Sequence, residues 1–122
     1  MRNMSFAETT PQIRNRIKTV TRRLGWAALK KGDLVQPCLK CMGLKKGEKI
    51  QKIGPPIRIL STGFEPLDTI TQEDIVKEGF PDLTVEGFIT FFQRINRCPR
   101  NAAVNRIEFE YMSKQGERNN EL

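Results

Sequence analysis

Six consecutive residues, Lys18-Thr19-Val20-Thr21-Arg22-Arg23, put a lysine, two hydroxyls and two guanidinium groups into one short stretch. The run is rich in Thr and Val, so Thr19 to Leu24 reads as a strand or as a bend into one. In a regular strand Thr19, Thr21 and Arg23 share a face while Lys18 points the other way. Lys18 and Thr21 converge only if the chain turns near Thr19, and a helix-to-strand junction there would supply the turn. Shortly afterwards Leu29-Lys30-Lys31-Gly32-Asp33-Leu34-Val35 makes a compact Gly-Asp turn into an apolar strand. The rest of the chain offers few other places for chemistry.

With 122 residues the chain suits one domain and one core. No apolar run approaches the ~20 residues needed to cross a bilayer. The start, Met1-Arg2-Asn3-Met4, lacks the apolar segment of a secretion signal, so a cytoplasmic protein without a membrane partner is expected. The charge of +7 is unevenly spread: residues 1–60 carry 14 Lys/Arg against 3 Asp/Glu, residues 61–122 carry 7 against 11. A basic half of this kind attracts phosphates, which favours a polyanion such as RNA as partner; a merely solvated surface is the plainer alternative. Histidine is absent. Ser-His and Cys-His nucleophiles and histidine metal ligands are therefore excluded.

Met4-Ser5-Phe6 reads as a short strand, and Thr10-Pro11 as N-cap and first residue of a helix through about Ile17. Asp33 to Gln36 begins a strand that Pro37 should end. Cys38 to Gly47 is a basic, glycine-containing excursion. Glu48 to Ile53 and Ile57 to Ser61 read as two strands parted by Gly54-Pro55-Pro56. Thr71 caps a helix with Asp74 at N3, in the manner of a capping box, and Gly79 ends it. Thr84 caps a second helix to about Asn96, whose Phe88, Ile89, Phe91, Phe92 and Ile95 form an apolar stripe, read as core. Val104 to Met112 alternates, with Ile107, Phe109 and Tyr111 on one face and Arg106, Glu108 and Glu110 on the other. The domain is thus expected over residues 1–112, with a polar tail over 113–122. Strands around separate helices indicate an α+β fold, and the turn-rich first half a small curved sheet or open barrel.

The order of these pieces resembles ASCH domains, small relatives of the PUA RNA-binding fold. The family pattern Gly-x-Lys-x-x-Glu-x-Arg, with Thr common at the Glu position, is matched by Lys18, Thr21 and Arg23; Arg16 stands at the glycine position. Leu67 to Asp74 followed by Glu78 is similar to the family's leucine-rich entry into a helix ending in an acid. The resemblance covers about Met4 to Met112 and implies a PUA-like curved β-barrel with flanking helices. One branch removes the acetyl group from N4-acetylcytidine and carries Lys-Thr-Ile-Thr-Ile-Arg, close to Lys18–Arg23. By that resemblance Lys18, Thr21 and Glu78 are the catalytic residues. Other branches bind RNA, and at least one is a ribonuclease.

The chemistry stands on its own terms too. A threonine hydroxyl is a poor nucleophile until a base takes its proton. Lys18 can be that base if its pKa is lowered by burial and by Arg16, Arg22 and Arg23. Glu78 would protonate the leaving amine or orient the amide, and Arg23 would hold a carbonyl or a phosphate. The plain reading makes Lys18 and Arg23 solvated cations and Thr21 an ordinary strand residue. Glu78, in the last turn of its helix, is disfavoured by the dipole there. Arg16, Thr19, Arg22 and Arg23, with Lys40, Lys45 and Lys46 of the basic excursion, are the further residues expected to bind RNA or a nucleoside. Trp26 would stack on a base or pack in the core.

Cys38-Leu39-Lys40-Cys41 resembles half of a zinc knuckle. Only Cys98 remains as a third ligand, so no cofactor is required, and zinc is held open at Cys38, Cys41 and Cys98. Three functions follow: RNA or modified-nucleoside binding, amide hydrolysis of an acylated cytidine, and RNA cleavage using Lys18 with Arg23.

Overall fold

Strand β5 (Ala103–Tyr111) is the spine of the sheet. Its two faces serve different cores. Ile107 and Phe109 face Met4, Phe6, Val35, Ile57 and Ile59 in one buried cluster. Val104, three residues earlier and so on the opposite face, packs with Leu67, Ile75, Phe88, Ile89 and Phe92 in the other. The computed structural model describes residues 1–112; the tail expected over 113–122 lies outside the described residues.

In chain order the elements are β1 (Arg2–Ser5), a 3-10 turn (Ala7–Thr9), α1 (Thr10–Arg14), β2 (Val20–Arg23), β3 (Leu34–Cys38), β4 (Ile57–Pro66), a second 3-10 turn (Leu67–Thr69), α2 (Gln72–Lys77), α3 (Val85–Asn96) and β5. The five strands form one mixed sheet in the order β1-β3-β4-β5-β2. β1 runs parallel to β3, and the other neighbours are antiparallel. This is the expected α+β class. The sheet does not close into a barrel: β1 and β2 are both edges, and side chains alone span the seam between them. Arg23 Nη2 donates to Ser5 O at 2.6 Å, and the Arg2 guanidinium lies 4.0 Å from the centre of the Trp26 ring.

Several boundaries differ from the sequence reading. The first helix stops at Arg14, with Thr9 rather than Thr10 as N-cap; Arg16, at φ 59°, turns the chain out of it. β3 runs through Pro37 because that residue's carbonyl faces Ile53, accepting its N–H at 3.1 Å. The missing proline N–H therefore lies on the side away from β1 and leaves the β1 ladder intact. Residues 48–53 form no strand, only a single bridge between Cys38 and Lys52. β4 extends to Pro66, with a bulge between Ile59 and Ser61. Among the described residues no helix is long and apolar enough to cross a membrane.

The caps of α2 and α3 follow the sequence. Thr71 accepts from Asp74 N at 3.2 Å and Thr84 from Gly87 N at 3.0 Å. Gly79 follows the last turn of α2 at φ 97°, and a Cβ there would meet Gln12 Cγ at 2.7 Å. Gly79→Ala is expected to destabilise the protein by about 1–2 kcal/mol through this left-handed geometry alone, with Gln12 adding to it. The urea midpoint of the variant measures the effect.

Candidate functional site

The end of α2 meets the start of β2 through backbone first. Thr19 gives its N–H to Lys77 O at 2.8 Å and accepts from Phe109 N at 3.0 Å. A residue in a flat strand directs both groups to one side; Thr19 divides them between α2 and β5, so the chain turns there and β2 begins at Val20. Lys18, just before the turn, is fixed from outside by Tyr111, whose hydroxyl donates to Lys18 O at 2.5 Å.

Glu78 is the C-cap of α2. Lys18 Nζ donates to the Glu78 carbonyl at 2.8 Å and to its Oε1 at 2.7 Å. The ammonium thus satisfies a helix-terminal carbonyl and neutralises an acid that the helix end would otherwise repel. Both residues are buried. Burial pulls the Lys18 pKa below its usual value, with Glu78 opposing and Arg23 and Arg22 assisting.

On the other side of Glu78 stands Arg22. Its Nη1 donates to Glu78 Oε2 at 3.2 Å, and its Nη2 to Asp74 Oδ2 at 2.5 Å and Glu65 Oε2 at 3.0 Å. Arg106 grips Asp74 by two further bonds, at 2.6 and 3.0 Å. Charges therefore alternate from Arg106 through Asp74, Arg22 and Glu78 to Lys18. Hydrogen bonds from Arg106 and Arg22 hold the Asp74 carboxyl well below the usual carboxylate range, against its partial burial.

Lys18, Thr21, Arg22, Arg23 and Glu78 line one cavity of about 270 Å³. Apolar side chains line the rest of it: Phe6 beneath Arg23, and Phe80, Phe88, Phe91, Phe92 and Ile95. Arg23 has no carboxylate partner among the described residues. Its Nε donates to Thr21 Oγ1 at 3.2 Å and its Nη2 to Ser5 O, with Phe6 4.7 Å beneath the guanidinium. Burial lowers its pKa to about 10, so at neutral pH it stays charged. Because Thr21 Oγ1 accepts from Arg23, its own proton is free for another base.

The sequence therefore named five residues that share this cavity. Others it named lie elsewhere. Trp26 sits beneath Arg2 and packs against the first core, not in the cavity. Arg16 lies over the Tyr111 ring, 5.9 Å from its centre, and Thr19 spends its backbone on the turn. Lys40 pairs with Glu48 at 3.3 Å, and Lys45 and Lys46 are exposed on the excursion beyond β3; none of the three lines the cavity. The aromatic wall was missed as a site feature. Phe88 and Phe92 are buried as expected of core, but with Phe91 and Ile95 they also face the cavity. Phe88, Phe91, Phe92 and Ile95 fall at the ordinary i, i+3, i+4, i+7 spacing of a buried face, so the sequence carried no signal that set this wall apart from core.

The cysteines do not converge. Cys38 ends β3, buried, with Sγ 3.5 Å from Gln36 O; burial, with Cys41 beside it, raises its pKa. Cys98 packs against the second core, beyond α3. Among the described residues no three His, Cys, Asp or Glu side chains are grouped to hold a metal ion.

A small α+β domain with an open mixed sheet and a buried Lys–Glu pair flooring an aromatic-walled cavity is the class so defined. No protein-family model matches the chain, and no curated protein does. Solved structures do share the fold. One is protein EF3133 from Enterococcus faecalis V583, of the DUF984 family. It has a TM-score of 0.61 and 14% identity, over 92% of this chain and 76% of that one. Another is hypothetical protein PH0355, with a TM-score of 0.60 and 13% identity, over 91% and 96% of the two chains. At such identities the likeness is one of fold.

The ion chain makes a pH-dependent contribution to stability. With its folded pKa depressed, Asp74 stabilises the protein fully above its unfolded value of ~3.9. That contribution is lost as pH falls through the folded value. Asp74→Asn, which leaves Arg22 and Arg106 short of a partner, is expected to cost about 3 kcal/mol at pH 7. The cost should shrink between pH 5 and pH 2, as read by urea unfolding at each pH.

Proposed function

We propose that this protein is an ASCH-type domain with a PUA-like curved sheet, and that its cavity binds a nucleobase, free as a modified nucleoside or within RNA. The observation that carries the reading is the Lys18–Glu78 pair, 2.7 Å apart and buried, flooring a cavity with an aromatic wall. A nucleobase presents the matching surface: a flat apolar face for the phenylalanines, and a polar edge for Thr21, Arg23 and Lys18. About 270 Å³ lies just under the ~300–1,000 Å³ of drug-sized sites, which suits a base or nucleoside and excludes a duplex. The basic first half would draw the polyanion in.

Isothermal titration with cytidine, N4-acetylcytidine and adenosine tests this. Binding of at least one is expected, weakened about tenfold or more in Lys18→Met. No binding of any nucleoside or of short single-stranded RNA would sink the reading.

Hydrolysis of an N4-acylated cytidine is the second reading, supported by the lowered pKa of Lys18 and the free proton of Thr21. Neutral Lys18 would take that proton as Oγ1 attacks the acyl carbonyl. The cytosine N4 would leave with a proton passed on through Glu78, and water would then release the acid from Thr21. Arg23, donating to Oγ1, would stabilise the developing alkoxide. Because the base must be neutral, the rate should rise with pH along a limb below the ordinary lysine value of ~10.4. Thr21→Val and Glu78→Gln should each lower kcat by at least about a hundredfold. Release of acetate from N4-acetylcytidine measures both effects.

A further inference from the structure

The Arg22 side chain is buried, 1% exposed, and surrounded by three carboxylates. Burying a guanidinium in place of an apolar residue is seldom a gain in stability even when it is paired. Here the pairing is incomplete, because Arg22 Nε is buried without a hydrogen-bond partner among the described residues. The residue therefore carries a cost that stability does not account for.

Its geometry gives a reason. A carboxylate free to rotate could offer both oxygens to Lys18, or swing into the cavity. Glu78 does neither: Oε2 is taken by Arg22 Nη1, and Oε1 is left for Nζ. Arg22 is in turn immobilised by Asp74 and Glu65, and Asp74 by Arg106. We propose that Arg22 is a positioning residue, which holds Glu78 by one oxygen in the orientation that leaves the other for Lys18. It takes its own orientation from Asp74 and Glu65. This rests on Lys18 and Glu78 being the working pair of the cavity, but its test does not require turnover.

The charged and titratable groups around Lys18 are few. Glu78 faces it from the end of α2, and Arg22 and Arg23 come from β2. Tyr111 of β5 reaches its carbonyl, with Arg16 over the Tyr111 ring. Glu8 lies at the rim of the cavity. Removing Arg22 thus takes away a like charge and frees Glu78 Oε2 for the ammonium. Both changes favour protonated Lys18.

The experiment follows the Lys18 ε-carbon by NMR during a pH titration, its signal assigned by its loss in Lys18→Met. In Arg22→Met, Lys18 is expected to titrate about one pH unit higher than in wild type. Arg22→Gln, which keeps an amide donor but no charge, should shift it in the same direction, and carries the test if the methionine variant fails to fold. If N4-acetylcytidine is turned over, the ascending limb of the kcat profile should move by the same amount. At fixed pH below it, kcat then falls about tenfold with KM unchanged. A folded Arg22 variant in which Lys18 titrates as in wild type overturns the proposal. Absence of turnover with a shifted Lys18 overturns the hydrolytic reading alone.

Discussion

Lys18 is the residue on which the local architecture turns. An ammonium without access to water must be paired or neutral, and the chain meets that demand twice with one residue, through the carbonyl and the carboxylate of Glu78. Everything near it is arranged to make this possible. The turn at Thr19 brings Lys18 under α2, Gly79 lets α2 stop at the right residue, and Arg22 neutralises the half of Glu78 that Lys18 does not reach. The charge chain continues outward until Arg106 meets Asp74 near the surface.

Such a chain is a poor source of stability and a good source of order. Each buried charge has a cost of desolvation that its partner roughly offsets. A partner removed, by contrast, leaves an uncompensated charge. The network therefore tolerates little variation and keeps one arrangement of Lys18, Glu78 and Arg22. That is the condition a polar cavity needs if its groups are to meet a ligand at fixed positions. The aromatic wall supplies the rest, since α3 contributes bulk and flatness without any polar demand of its own.

The sequence revealed the helices and the last strand because their signals are local. Thr71, Gly79 and Thr84 act within a turn of where they stand, and Ile107, Phe109 and Tyr111 alternate in plain view. It misjudged Pro37 because a proline is harmless to a strand when its absent N–H faces away from the paired neighbour, a fact set by tertiary packing. It took residues 48–53 for a strand ahead of the Gly54-Pro55-Pro56 break, though Ile50 and Ile53 stand three apart and β3 offers the segment only one bridge. Within the cavity, Lys18, Thr21, Arg23 and Glu78 were named through the family resemblance, since no local signal joins residue 78 to residue 18. Arg22 was read as a cation for ligand and as a like charge beside Lys18; its pairing with three acids was not legible, because they lie 43 to 56 positions away along the chain. Trp26 was drawn in by its place just after the basic run, and the cysteines by the C-x-x-C spacing of Cys38 and Cys41.

The seam between β1 and β2 has one further consequence. A closed barrel would fix its bore through continuous backbone pairing, and widening it would mean breaking ladder bonds. Here the cavity, lined by Ser5 of β1 and Arg23 of β2, crosses a gap that the Arg23 side chain spans. Its width at that point is set by the Arg23 rotamer and can change without unzipping a single strand.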